Sequence, residues 1–158
     1  MRQCLKFLLE SERIAPNRIQ GMAEKELDIF YDGVNTREEL ANVEHRPGIY
    51  VIVGKSFKYP YPKGDSGVIY IGTSEDLHSR LVEHIRYFKK ASEDWKTNET
   101  WADSRYNYIL SQGETRVYIL YTHGEKKSKD LESRAIESFY DRYRAIPVGN
   151  GARSFREK

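Results

Sequence analysis

Two tyrosines, Tyr50 and Tyr70, stand in mirror-image tripeptides, Gly48-Ile49-Tyr50 and Tyr70-Ile71-Gly72. An arginine, Arg80, follows Tyr70 by ten residues, and His84 follows it by fourteen. Phenols and an imidazole can pass protons, and a guanidinium offers a permanently charged fork of donors to an oxyanion. Together these types suit acid–base chemistry on an anionic group. The bland alternative is a tyrosine-rich core beside a solvated polar helix face. Packing alone, however, needs no second tyrosine with a glycine on its far side.

The elements around these residues must bring them together. Gly48-Ile-Tyr-Val-Ile-Val-Gly54 and Gly67-Val-Ile-Tyr-Ile-Gly-Thr73 are β-branched and aromatic runs closed by glycine, which predicts two strands. The Gly/Pro/Lys-rich stretch between them predicts a hairpin connection, so both tyrosines come within cross-strand reach. Ser74 is the expected N-cap of a helix, with Asp76 in its first turn. Leu77, Leu81, Ile85 and Phe88 then recur at helical spacing to about Lys90. Arg80 and His84 are four residues apart, so they share a helix face beside that apolar stripe. Residues 91–100 are polar and predict a loop, 100–111 a helix, Thr115–Thr122 a third strand, and about Ser128–Arg144 a last helix. The order β-β-α-α-β-α implies an α+β domain: a small three-stranded antiparallel or mixed sheet flanked by helices. Residues 1–46 are expected to be a helical extension. Leu5, Leu8, Leu9 and Ile14 form a weak stripe, and Ile19, Met22, Leu27 and Phe30 form another over residues 18–31. Thr36-x-x-Glu39 is a capping-box pattern ahead of Leu40. Residues 47–158 are expected to form one compact unit.

With 26 basic and 24 acidic residues the formal net charge is +2, so any nucleic-acid surface must come from segregated charge rather than from the total. The single cysteine, Cys4, excludes an intrachain disulfide and a Cys-rich zinc site. No run approaches the about 18 apolar residues of a membrane span, and no signal-peptide pattern opens the chain, which favours a cytoplasmic, membrane-free protein. Twelve tyrosines in 158 residues supply either core or stacking groups.

The two tripeptides, with Arg80 and His84 spaced behind them, resemble the signature of the GIY-YIG nuclease superfamily over about residues 47–150. The resemblance implies a phosphodiester hydrolase that cuts DNA with one Mg2+ or Mn2+ ion. It also implies a glutamate metal ligand on the last helix, for which Glu132 and Glu137 are the candidates. Taking Glu132 as origin, Ala135, Ile136, Phe139 and Tyr143 follow at +3, +4, +7 and +11, whereas Glu137 is followed by Asp141 and Arg144. Glu132 therefore lies in the inward stripe and is the expected ligand. Family members also carry Pro-x-x-Asn after this helix. Here that is Pro147-Val148-Gly149-Asn150, where Asn150 is either a site residue or simple turn chemistry. The resemblance implies Arg80 on the scissile phosphate, Tyr50 as base and Tyr70 as a positioning group. His84 would be an alternative base or a support for Tyr50.

Three departures from the family pattern matter. The connection between the tripeptides is longer than usual and interleaves Lys55, Lys58 and Lys63 with Phe57, Tyr59 and Tyr61. That alternation suggests nucleic-acid contact by Lys55, Lys58, Tyr59, Tyr61 and Lys63. Thr73 replaces a lysine found in some members. No zinc finger or helix-turn-helix follows the core, which favours a homodimeric, restriction-type arrangement. The alternative function is a catalytically silent module of the same fold that binds nucleic acid or protein.

Overall fold

A computed structural model of the protein describes residues 24–29, 40–94 and 115–151, with side chains over 40–86 and 115–151. In chain order the elements are β1 (Glu24–Ile29), β2 (Gly48–Gly54), β3 (Tyr59–Tyr61), β4 (Gly64–Ser66), β5 (Val68–Ser74), α1 (Leu77–Asp94), β6 (Thr115–Tyr121) and α2 (Glu125–Tyr143). The α+β class holds, with β2, β5 and β6 as the expected strands. The main sheet has the order β1-β6-β2-β5, and every pairing in it is antiparallel.

Residues 24–29 correct one expectation. They form a strand paired with β6, Leu27 opposite Val117 and Ile29 opposite Thr115, and not part of a helix over 18–31. Glu, Lys and Leu favour helix locally, but the open edge of β6 offers a ladder that local preference cannot match. Among the described residues β1 thus adds a fourth strand to the three expected. The expected helix over 100–111, the capping box at Thr36–Glu39 and the stripes before residue 24 lie outside the described residues. Residues 91–94 continue α1 rather than opening a loop.

β2 is an inner strand, between β6 and β5, and its alternation divides the core. Tyr50 and Ile52 join Leu77, Leu81, Val117, Ile119 and Tyr121 on one face, with α1. Ile49 and Val51 join Ile71, Leu120, Ala135, Ile136 and Phe139 on the other, with α2. Leu40 and Val43 belong to the first cluster, so the segment just before β2 is built into the core.

Two local features aim the β5 side chains. Tyr50 pairs with Gly72, and Ile52 with Tyr70, so the tyrosines are diagonal neighbours on one face rather than directly opposed. Beyond Tyr70 the register slips by one, Val53 facing Val68, which leaves Ile69 as a bulge. The bulge places Ile69 on the same face as Tyr70 while returning Val68 to the α2 face. The long connection between β2 and β5 is a second, two-stranded ribbon of β3 and β4.

Candidate active site

Gly72 makes room for two phenols. A Cβ built there would lie 2.5 Å from Cε1 of Tyr70, 2.7 Å from the Tyr50 hydroxyl and 2.8 Å from Cζ of Tyr50. Any side chain at 72 would displace one ring, which accounts for glycine at the end of the second tripeptide. Gly48 is equally crowded, with Leu120 O and Cδ1 of Leu77 each 2.5 Å from a built Cβ. There the close approach serves the packing of α1 on β2.

Over Gly72 the Tyr50 and Tyr70 rings stack, with centroids 5.8 Å apart and planes 26° apart. His84 stands edge-on to both, with centroids 5.4 Å from each. The Tyr50 hydroxyl and Nε2 of His84 share a buried hydrogen bond of 2.6 Å. Four residues separate Arg80 from His84 on α1, which turns both towards the hairpin as expected. Arg80 lies near enough to the Tyr50 hydroxyl to act on it through both charge and hydrogen bonding. Its Nη1 also donates to the Glu83 carboxylate at 3.0 Å.

Burial sets the protonation states. Tyr50 is fully buried, and burial with the neighbouring Tyr70 holds its pKa far above the ordinary phenol value, although Arg80 pulls it down. Burial and the Arg80 charge push His84 from 6.5 down to about 4, so its imidazole is neutral near pH 7. Partial burial works against the Arg80 charge, but Tyr50, Glu83 and Tyr70 outweigh it and the net direction is upward. The cluster therefore pairs a protonated phenol with a neutral imidazole, beside a permanent cation.

Glu132 joins from α2, which packs on the opposite face of the sheet through Ala135, Ile136 and Phe139. Its carboxylate is half-buried, and its link to the tyrosines runs through Arg80. Burial raises its pKa, while Lys129 and Arg80 lower it. Glu137, the other candidate, is exposed. Lys129 was not foreseen as a neighbour of Glu132, although its place three residues earlier on one helix signals it. Lys129 also pairs with Glu125.

A metal ion can be tested against this donor set. One half-buried carboxylate beside solvent suits Mg2+ or Mn2+, hard cations that keep several waters and use one or two carboxylates plus substrate phosphate oxygens. The neutral imidazole of His84 is already engaged by Tyr50. The residues fit a single hard cation held by Glu132.

Asn150 is engaged with the β5 backbone. Its Oδ1 accepts from the Ile71 amide at 2.9 Å and its Nδ2 donates to the Ile71 carbonyl at 2.7 Å. The Gly149 amide donates to Ile69 O at 2.7 Å. Asn150 thus takes the place of a neighbouring strand along the open edge of β5, and it positions Tyr70-Ile71-Gly72.

The five expected nucleic-acid contacts divide. Lys55, Lys58 and Lys63 are exposed. Tyr59 is buried in the α1-side core, so its ring does not face a base. The Tyr61 hydroxyl donates to Val68 O at 3.1 Å and accepts from the Val148 amide at 3.0 Å, while its ring packs on Phe139 and Tyr143. Both tyrosines hold the ribbon and the 147–150 loop against the domain. Basic–aromatic alternation misled here because, in a strand, alternate side chains turn inward.

No family model, curated protein or solved structure matches the chain.

Proposed function

We propose that this protein is a divalent-metal-dependent DNA endonuclease of the GIY-YIG kind. The observation that carries the reading is the buried Tyr50–His84 hydrogen bond over Gly72, with the Arg80 charge acting on Tyr50, on His84 and, more weakly, on Glu132. A packed core gains nothing from converging a phenol, an imidazole, a guanidinium and a carboxylate, whereas phosphodiester hydrolysis uses each of them.

In this reading Arg80 binds a non-bridging oxygen of the scissile phosphate and offsets charge growing there. Glu132 would hold Mg2+ or Mn2+, which supplies charge neutralisation at the phosphate and at the departing oxygen. Tyr50 cannot simply ionise, because burial holds its proton too firmly. It can relay one: the phenol oxygen takes the proton of the attacking water as its own hydrogen passes to Nε2 of neutral His84. Since Tyr50 is fully buried, substrate binding must open the cleft enough for water to reach it. Tyr70, half-buried and stacked on Tyr50, would orient that water. Exposed Lys55, Lys58 and Lys63 on the ribbon add backbone attraction along the duplex.

The test is incubation of purified protein with supercoiled plasmid and defined duplexes, with Mg2+, with Mn2+ and with chelator. Metal-dependent nicking or cutting that is lost in Glu132→Gln, Arg80→Ala and Tyr50→Phe is expected. Salt-sensitive DNA binding with no product in either metal would replace this reading with a silent binding module. Cutting that survives chelation would refute the mechanism.

A further inference from the structure

A second cluster of ligand-type side chains lies outside the tyrosine cleft. His45, Asp76 and His78 place one potential ligand atom each within 4.8 Å of the others. Nδ1 of His45 is 2.9 Å from Oδ2 of Asp76, and the His45 and His78 rings lie 4.2 Å apart. We propose that these three side chains bind a transition-metal ion of the zinc class, which clips the segment leading into β2 to the start of α1.

The ligand chemistry selects the metal. Two imidazoles and a carboxylate suit Zn2+, Co2+ or Ni2+ and leave an open position for water, whereas Mg2+ and Ca2+ prefer oxygen alone. Bonds of about 2.0–2.1 Å in a tetrahedron set donors about 3.3 Å apart, so rotations of the exposed rings by roughly an ångström at the ligand atom close the site.

The backbone holding the ligands is already fixed. The Leu77 amide, beside both Asp76 and His78, donates to Arg46 O at 3.0 Å, next to His45. Asp76 is the N-cap of α1: Oδ1 accepts from the Ser79 amide at 3.0 Å and Oδ2 from the Ser79 hydroxyl at 2.8 Å. Those two bonds hold the carboxylate in one orientation, the outer support that metal-ligating carboxylates need. A helix N-terminus repels a cation, and the ionised Asp76 carboxylate offsets that effect at close range. The side chains of His45 and Asp76 are 64% and 40% exposed, so an ion can enter from solvent without unfolding.

Sequence signals were present but dispersed. Asp76-x-His78 is a short spacing at a helix start, and His45 joins it only because the strands bring residue 45 beside residue 76. None of the three belongs to the cleft residues, so the site and the nuclease reading stand or fall separately.

The probe is Co2+, titrated into the full chain and followed by its visible d–d absorption, with Zn2+ displacement and equilibrium dialysis for stoichiometry. One ion per chain is expected, with binding at least about 100-fold weaker in His45→Ala and in His78→Ala. Asp76→Asn keeps the helix cap and loses the charged ligand, so it is expected to weaken binding without lowering helix content. His123→Ala is expected to bind Co2+ as the parent does, and Glu132→Gln is expected to keep the visible band of the histidine site. Free Zn2+ at about 100 times its dissociation constant is expected to raise the parent's melting temperature by roughly 5–10 °C. Three results would overturn the proposal: no absorption band up to millimolar Co2+, a band that survives both histidine substitutions, or a band lost in Glu132→Gln, which would assign the ion to the cleft.

Discussion

Acidification should unfold this protein in a way that depends on one imidazole. In the unfolded chain His84 titrates near 6.5, and in the folded chain near 4, because burial and Arg80 oppose its charge. Between those values the unfolded state binds a proton that the folded state refuses. Stability therefore rises with pH across the window and is lost as pH falls from 6.5 to about 4. The gap between 6.5 and about 4, at about 1.4 kcal/mol per pH unit, makes the loss about 3 kcal/mol. That is a large share of the roughly 5–15 kcal/mol that stabilises a typical domain. The assay is urea unfolding at fixed ionic strength and without divalent cations, at intervals from about pH 7.5 to pH 4. His84→Gln supplies the comparison: its amide can still meet the Tyr50 hydroxyl, but it does not titrate. Other carboxylates contribute equally to both curves, so the difference isolates His84. The parent is expected to lose about 3 kcal/mol more than the variant across the window, with most of the divergence below about pH 6. Parallel curves would refute the buried neutral imidazole, and with it the proton-accepting role given to His84.

Three further outcomes follow from the same geometry. Gly72→Ala puts a methyl group 2.5 Å from the Tyr70 ring and 2.7 Å from the Tyr50 hydroxyl, so a loss of about 1–3 kcal/mol in urea unfolding is expected, and an unchanged midpoint would contradict that close approach. Asn150→Ala strips both hydrogen bonds from the Ile71 backbone, and about 2–3 kcal/mol of stability and the slow exchange of the Ile71 amide should go with them; a fall in turnover with stability intact would instead make Asn150 catalytic. Glu132→Gln removes a half-buried charge whose carboxyl already resists ionisation, so thermal stability should hold or rise while metal-dependent nicking falls by about 100-fold or more, and wild-type nicking would remove Glu132 from the mechanism.

The sequence carried the site more faithfully than it carried the edges of the fold. Tyr50, Tyr70, Arg80 and His84 were legible because each is fixed by local periodicity, two in strands and two on one helix face, within one stretch of chain. Glu132 was separable from Glu137 for the same reason. β1 was not legible, because its six residues form a strand only where β6 offers an open edge, and that partner lies far along the chain. Asn150 stayed ambiguous between turn and site, since Gly-Asn-Gly predicts a turn equally well and the β5 edge it clasps is a tertiary fact. Tyr59 and Tyr61 read as surface groups because the connection resembles a loop. In the fold it is a ribbon, and their rings became its anchor.

The division of labour between β2 and β5 explains why so many devices gather around residues 69–72. β2 has a strand on each side, so Tyr50 is held at the centre of the sheet. Among the described residues β5 pairs only with β2, and its outer edge would otherwise leave the backbone that carries Tyr70 and Gly72 supported on one side. The Asn150 amide and the Gly149 N–H supply the missing ladder at Ile71 and Ile69, and the Tyr61 hydroxyl ties the same loop back to Val68 through Val148. The bulge at Ile69 then lets Ile69 fill the α1-side core beside Tyr70, while Val68 fills the opposite core. An edge strand pinned this way can keep a phenol stacked on the central one at 5.8 Å without a further strand to cover it. A further strand would have enclosed that edge, whereas the clasp supports the backbone at residues 69–71 and leaves the Tyr70 side chain half-buried beside it.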